Sequence, residues 1–87
     1  MALSFLNASR SYDATRRAVR FWGYDSAMET SFFLTEGGLQ RVRPGGARDE
    51  QDALQTFDNN RTLIYAAAAR VYARGRKGSY ELVGSDF

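Results

Sequence analysis

A chain of 87 residues with 44% hydrophobic content is long enough for one globular domain, residues 1–87, and too apolar to stay disordered. It contains no cysteine and no histidine, which removes disulfides, thiolate nucleophiles, the commonest general base and the usual zinc ligands. A formal net charge of +2 does not by itself point to nucleic acid, and no apolar run is long enough to span a membrane.

In chain order, the N-terminus (Met1-Ala2-Leu3-Ser4-Phe5-Leu6) lacks the basic start of a signal peptide. Small secreted domains usually need disulfides, so a cytoplasmic location is expected. Ser9-Arg10-Ser11-Tyr12 reads as extended and Asp13-Ala14-Thr15 as a turn. Arg16 to Gly23 follows as a strand, with Val19 and Phe21 on one side. Gly23 to Ser26 reads as the next turn. Ala27 to Leu34 forms another strand, with Met28, Phe32 and Leu34 on one face and Phe33 on the other. Strands at this spacing favour an antiparallel meander.

Thr35 is suited to cap a short helix over residues 36–42, although Gly37 and Gly38 weaken it. Arg43-Pro44-Gly45-Gly46 breaks the chain. Asp49 then caps a long helix whose apolar stripe is Leu54, Phe57, Ile64, Ala68 and Val71, with Arg61 in the missing turn. Unbroken, its roughly 25 residues extend about 37 Å, against a globule about 30 Å across. The helix therefore overhangs or bends, and Asp58-Asn59-Asn60 is its weakest stretch. Gly75 stands where a left-handed cap residue belongs, and Ser79 to Val83 reads as a last strand with Tyr80 and Leu82 inward. The architecture expected is α+β: a small antiparallel sheet of three to four strands, one long amphipathic helix on one face and a short helix before it.

Alternation then leaves Trp22, Phe33 and Val83 on the opposite face of the sheet. Two readings fit. Either the short helix or Leu3-Phe5-Leu6 folds over these side chains, or they form a partner surface, most simply in a homodimer. A second group stands out between Asn59 and Ser79, where five cations occur and no acid. Arg70, Arg74, Arg76 and Lys77 at the helix end, with Arg16, Arg17 and Arg20 on the hairpin, are the candidate phosphate contacts. The plainer account of the helix end is that its arginines meet unpaired carbonyls and Gly78 turns the chain. Gly75-Arg76-Lys77-Gly78 has the Gly-x-x-Gly form of a KH loop, but it joins a helix to a strand rather than two helices.

No catalytic constellation emerges. Asp49, Glu50 and Asp52 cluster, but the start of a helix accounts for them, and they lack the alternation of a calcium loop. There is no phosphate-binding or dinucleotide fingerprint and no nucleophile elbow. No metal or cofactor is expected, and no enzymatic activity.

Four runs in order along the chain carry a resemblance: Ser9-Arg10-Ser11-Tyr12-Asp13, Val19-Arg20-Phe21-Trp22-Gly23, Phe57-Asp58-Asn59-Asn60-Arg61 and Val71-Tyr72-Ala73-Arg74-Gly75. They resemble the domain-of-unknown-function 1488 family of short bacterial proteins. The resemblance implies a stand-alone α+β domain of bacterial cytoplasm and brings no site residues. The expected role is a protein-interaction or self-association module, with itself or another protein as partner. The alternative is nucleic-acid binding through the basic helix end and the arginine-rich hairpin.

Overall fold

The computed structural model describes residues 3–6, 8–75 and 77–87. The strands are β1 (Leu3–Ser4), β2 (Arg10–Asp13), β3 (Ala18–Asp25), β4 (Met28–Leu34) and β5 (Ser79–Leu82). Three helices lie between β4 and β5: α1 (Glu36–Val42), α2 (Glu50–Asn59) and α3 (Arg61–Ala73). A 3₁₀ turn at Gly84–Asp86 closes the chain.

Strands β2, β3 and β4 form the expected meander. Arg10 pairs with Phe21, and Phe21 with Phe32. β1 shares the β2 edge of β3, with Leu3 opposite Asp25. The sheet is mixed rather than wholly antiparallel, because β5 runs parallel to β4, with Phe32 opposite Tyr80 and Leu34 opposite Leu82. Parallel neighbours require a long crossover, and the three helices supply it.

The long helix is two helices that meet at Asn60. Its backbone leaves the helical region at φ −131°, and its side-chain amide donates to the Thr56 carbonyl at 2.8 Å. The break resolves the length conflict. At 1.5 Å per residue α2 is about 15 Å and α3 about 20 Å long, and both fit within a molecule of 35 × 24 × 23 Å.

α1 and α2 begin as their sequences require. Thr35 Oγ1 accepts from Gly38 N–H at 3.3 Å, and Asp49 Oδ1 accepts from Asp52 N–H at 2.8 Å. α3 ends differently from expectation. Gly75 does not take a left-handed conformation, since the positive-φ glycines are Gly45 and Gly46. The loop that follows is held instead by Tyr80, whose hydroxyl accepts from Lys77 N–H at 2.8 Å and donates to the Gly75 carbonyl at 3.1 Å. This satisfies the polar tip of a buried tyrosine.

The core lies between the sheet and the helices. Val19, Phe21, Phe32, Leu34, Tyr80 and Leu82 meet Phe57, Ile64, Ala67 and Ala68. Leu54 and Val71 sit at its margin, and Ala53 and Tyr72 take the buried positions beside them. Met28 shares the inward alternation but is 59% exposed, because it begins β4 at the hairpin, beyond the helical layer.

Two glycines permit close approach. Gly23 is a strand residue rather than a turn, and a Cβ there would stand 2.9 Å from the Phe5 ring. At Gly38 a Cβ would stand 2.6 Å from the Leu82 carbonyl oxygen. The glycine that weakens α1 as a helix is thus the one that lets α1 dock on the end of β5.

Candidate functional site

The sheet has one face under helices and one face without them. On the helix-free face, β3 presents Arg20, Trp22 and Tyr24, and β4 presents Phe33, Ser31 and Glu29 directly opposite them. Trp22 and Phe33 therefore do share a face, as alternation predicts. Val83 is 40% exposed just past the end of β5, at the sheet edge and two strands away from Trp22.

Neither expected cover lies over these aromatics. α1 turns Leu39 into the core. Phe5 packs on the helical side, stacked on Tyr65 with ring centroids 4.1 Å apart and next to Phe21 and Phe32. Gly23 makes this possible, because its missing side chain leaves room for the Phe5 ring.

The cover that does exist is arginine. The Arg16 guanidinium lies 4.2 Å from the Phe33 ring centre, and Arg20 lies 5.6 Å from Phe33 and 5.2 Å from Trp22. Such cation–π contacts contribute roughly 0.5–1 kcal/mol each on an exposed surface. They leave Phe33 buried and Trp22 half-buried. Arg16 also faces Asp13 at 3.7 Å, and Arg17 faces Glu36 at 4.0 Å. Arg20 makes no ion pair among the described residues. Its Nη2 donates to Ser31 Oγ at 3.1 Å, and its Nε is buried without a hydrogen-bond acceptor.

The second candidate group, at the end of α3, is held by the chain itself. Arg74 Nη1 donates to Asp86 Oδ1 at 3.1 Å, and Arg70 Nη2 donates to the Asp86 carbonyl at 2.7 Å. The other Asp86 carboxylate oxygen accepts from Val83 N–H at 2.8 Å. Asp86 is buried and organises this corner, yet sequence reading passes over it. The available signal is an acid four residues after the end of a strand, across a glycine, placed to cap a turn. Arg76 lies outside the described residues.

The two basic groups come from different parts of the fold. Arg16 and Arg17 lie in the turn before β3, at the sheet end where β4 and β5 finish. Lys77 lies at the end where β5 begins, and Arg70 and Arg74 belong to the helical layer.

A further cluster binds β2 to the helix break. Arg10 makes a two-pronged contact with Asp58, at 3.0 and 2.9 Å. Arg61 donates to Asp58 at 2.7 Å, to the Ala8 carbonyl at 2.9 Å and to Tyr65 Oη at 2.7 Å. Hydrogen bonding from Arg10, and then from Arg61, holds the Asp58 carboxyl below its usual range, against the opposing effect of burial. Nearby, Asp52 accepts from Arg48 N–H at 3.0 Å and from Arg43, which brings its carboxyl down to about 2. One cluster ties β2 to α2, and the other ties the segment before α2 to its first turn. The described acids include no group of three placed to hold a metal ion. No helix among the described residues is long and apolar enough to cross a membrane.

A family model described as a protein of unknown function, DUF1488, matches residues 3–83. The chain belongs to the DUF1488 family. Its fold is similar to the crystal structure of a DUF1488 protein of unknown function from Shewanella loihica PV-4. The TM-score is 0.80 at 16% identity, over 92% of this chain and 90% of that one. No curated protein is significantly similar. Within this DUF1488 chain, two of the runs that carried the resemblance meet in the Arg10–Asp58 pair. A third, Val19 to Gly23, supplies Arg20 and Trp22 to the helix-free face.

Proposed function

We propose that this DUF1488 domain is a non-catalytic protein-interaction module and that its contact surface is the helix-free face centred on Trp22. The observation that carries this reading is the sheet itself. Its outer side carries no helix among the described residues, and the guanidinium groups of Arg16 and Arg20 lie over its aromatics. Aromatic and arginine side chains together are the residue types that dominate protein contacts. The reading is favoured over nucleic-acid contact because Arg70 and Arg74 already serve Asp86, and because Lys77 lies at the opposite end of the sheet from Arg16 and Arg17.

The test is capture of the tagged chain from its source cells with and without nuclease, comparing wild type, Trp22→Glu and Leu63→Glu. Leu63 is an exposed apolar residue on α3, in the opposite layer, and serves as the control. Associated protein should persist after nuclease, persist with Leu63→Glu and disappear with Trp22→Glu. Association that survives Trp22→Glu, or that vanishes with nuclease, overturns the reading.

A further inference from the structure

The partner of this face can be argued from its charges. Asp13 answers Arg16, and Glu36 answers Arg17. On β3 and β4 the cation is Arg20, which makes no ion pair among the described residues and whose Nε is buried and unbonded. At the other end of the same two strands, Glu29 accepts from Tyr24 Oη at 2.7 Å and makes no ion pair among the described residues. The two cannot meet within one copy. The Tyr24–Glu29 rung lies four strand positions from Arg20, about 13 Å at the usual rise, which is beyond the screening length at physiological salt.

Their spacing is symmetric about Trp22. The Arg20–Phe33 rung is two positions to one side of the Trp22–Ser31 rung, and the Tyr24–Glu29 rung is two positions to the other. A two-fold axis between two such faces, crossing the strands at Trp22, exchanges these levels. The Arg20 end of each copy comes over the Glu29 end of the other, so the pairing forms twice, and Trp22 meets its own counterpart. The edge strand follows the same pattern. Glu81 lies two positions after Ser79, which shares the central rung through Ser31, and Lys77 lies two positions before it. Rotation brings each Glu81 to the level of the loop that carries Lys77. Self-complementarity of this kind is what an isologous contact requires.

We infer that the helix-free face is occupied by a second copy of this chain, sheet against sheet with strand directions opposed, sealed by reciprocal Arg20–Glu29 pairs around Trp22. The inference rests on the reading of that face as an interaction surface. Aligned sheets pack about 10 Å apart, a gap that an aromatic layer fills.

The test is sedimentation of the purified full chain from about 1 µM to about 1 mM, with wild type, Arg20→Glu, Glu29→Arg and the double reversal on one chain. Each single reversal places like charges opposite one another at two sites and should weaken the dimer at least about tenfold. The double reversal restores the pairing and should return the dimer to within about threefold of wild type. Circular dichroism checks that each variant is folded. The single tryptophan adds a readout that needs no substitution, since Trp22 emission should shift to the red as wild type is diluted. If Arg20→Glu fails to fold, Glu29→Arg and the wild-type dilution series still decide the matter. A wild type that is monomeric throughout, with constant emission, overturns the second copy. Such a result is distinct from failure of the interaction reading, which is decided by capture with Trp22→Glu. A dimer indifferent to Glu29→Arg overturns the arrangement.

Discussion

Gly38 and Gly23 illustrate how one residue type answers two different constraints. A Cβ at Gly38 would strike a backbone carbonyl oxygen, that of Leu82, at 2.6 Å, and neither α1 nor β5 can retreat without losing the Thr35 contacts to the same carbonyl. A Cβ at Gly23 would meet the edge of the Phe5 ring at 2.9 Å, and a ring on a short N-terminal strand can move. Gly38→Ala should therefore cost roughly 2 kcal/mol or more, and Gly23→Ala under about 1 kcal/mol. Urea midpoints of the two variants check the ranking, and equal losses would show that the α1–β5 contact yields as easily as Phe5. The sequence makes both glycines visible but not their roles. Local pattern puts one in a turn and counts the other against a helix, because the neighbours that crowd them are distant in the chain.

α3 and the C-terminal turn form a unit that a reading of helix caps alone does not supply. The arginines at the helix end meet a carboxylate and a carbonyl of Asp86, rather than only the carbonyls of their own last turn. Asp86→Ala leaves Arg74 and the Val83 N–H unpaired and should cost about 1–2 kcal/mol. It also frees a cation at the basic helix end. Chemical denaturation measures the loss, and retention on heparin should rise relative to wild type. Equal retention of the two proteins would mean that Asp86 does not occupy Arg74. The helical stretch itself was legible as an amphipathic pattern, and its weak point was correctly placed at Asp58 to Asn60. That Arg10 and Arg61 converge there on Asp58 was not legible, because one of the partners comes from β2.

The whole molecule is tied across its layers by carboxylates, and acid should loosen it. Asp52 has its carboxyl brought from 3.8 down to about 2, first by the Arg48 N–H and then by Arg43, and Asp58 is lowered in the same direction by Arg10. A depressed folded value means that the unfolded chain takes up the proton first as pH falls. The contribution is complete above 3.8 and is lost between 3.8 and about 2. Urea midpoints should be level from about pH 7 to about pH 5 and then fall toward pH 2. Asp52→Asn should start lower and fall less. A variant with the full acid slope would remove Asp52 from the account. The clusters join α2 to the loop before it, and β2 to the helix break. The first sign of acid loosening is therefore expected where α2 meets its neighbours, ahead of the β3–β4 pair.

Sequence alone was enough for the class of fold, the β2–β3–β4 meander, the caps at Thr35 and Asp49 and the inward alternation from Val19 to Leu82. All of these follow from local periodicity and from hydrogen bonding within a few residues. It also placed Trp22 and Phe33 on one side of the sheet, since alternation is a property of the strand. Only the folded chain decided that β5 lies parallel to β4, that arginines rather than α1 or Phe5 cover the aromatics, and that Asp86 claims the basic helix end. Each of these depends on which residues distant in sequence come within a few ångströms of one another. Chain crossings and side-chain neighbours set that proximity, and the period of a single strand or helix does not encode it.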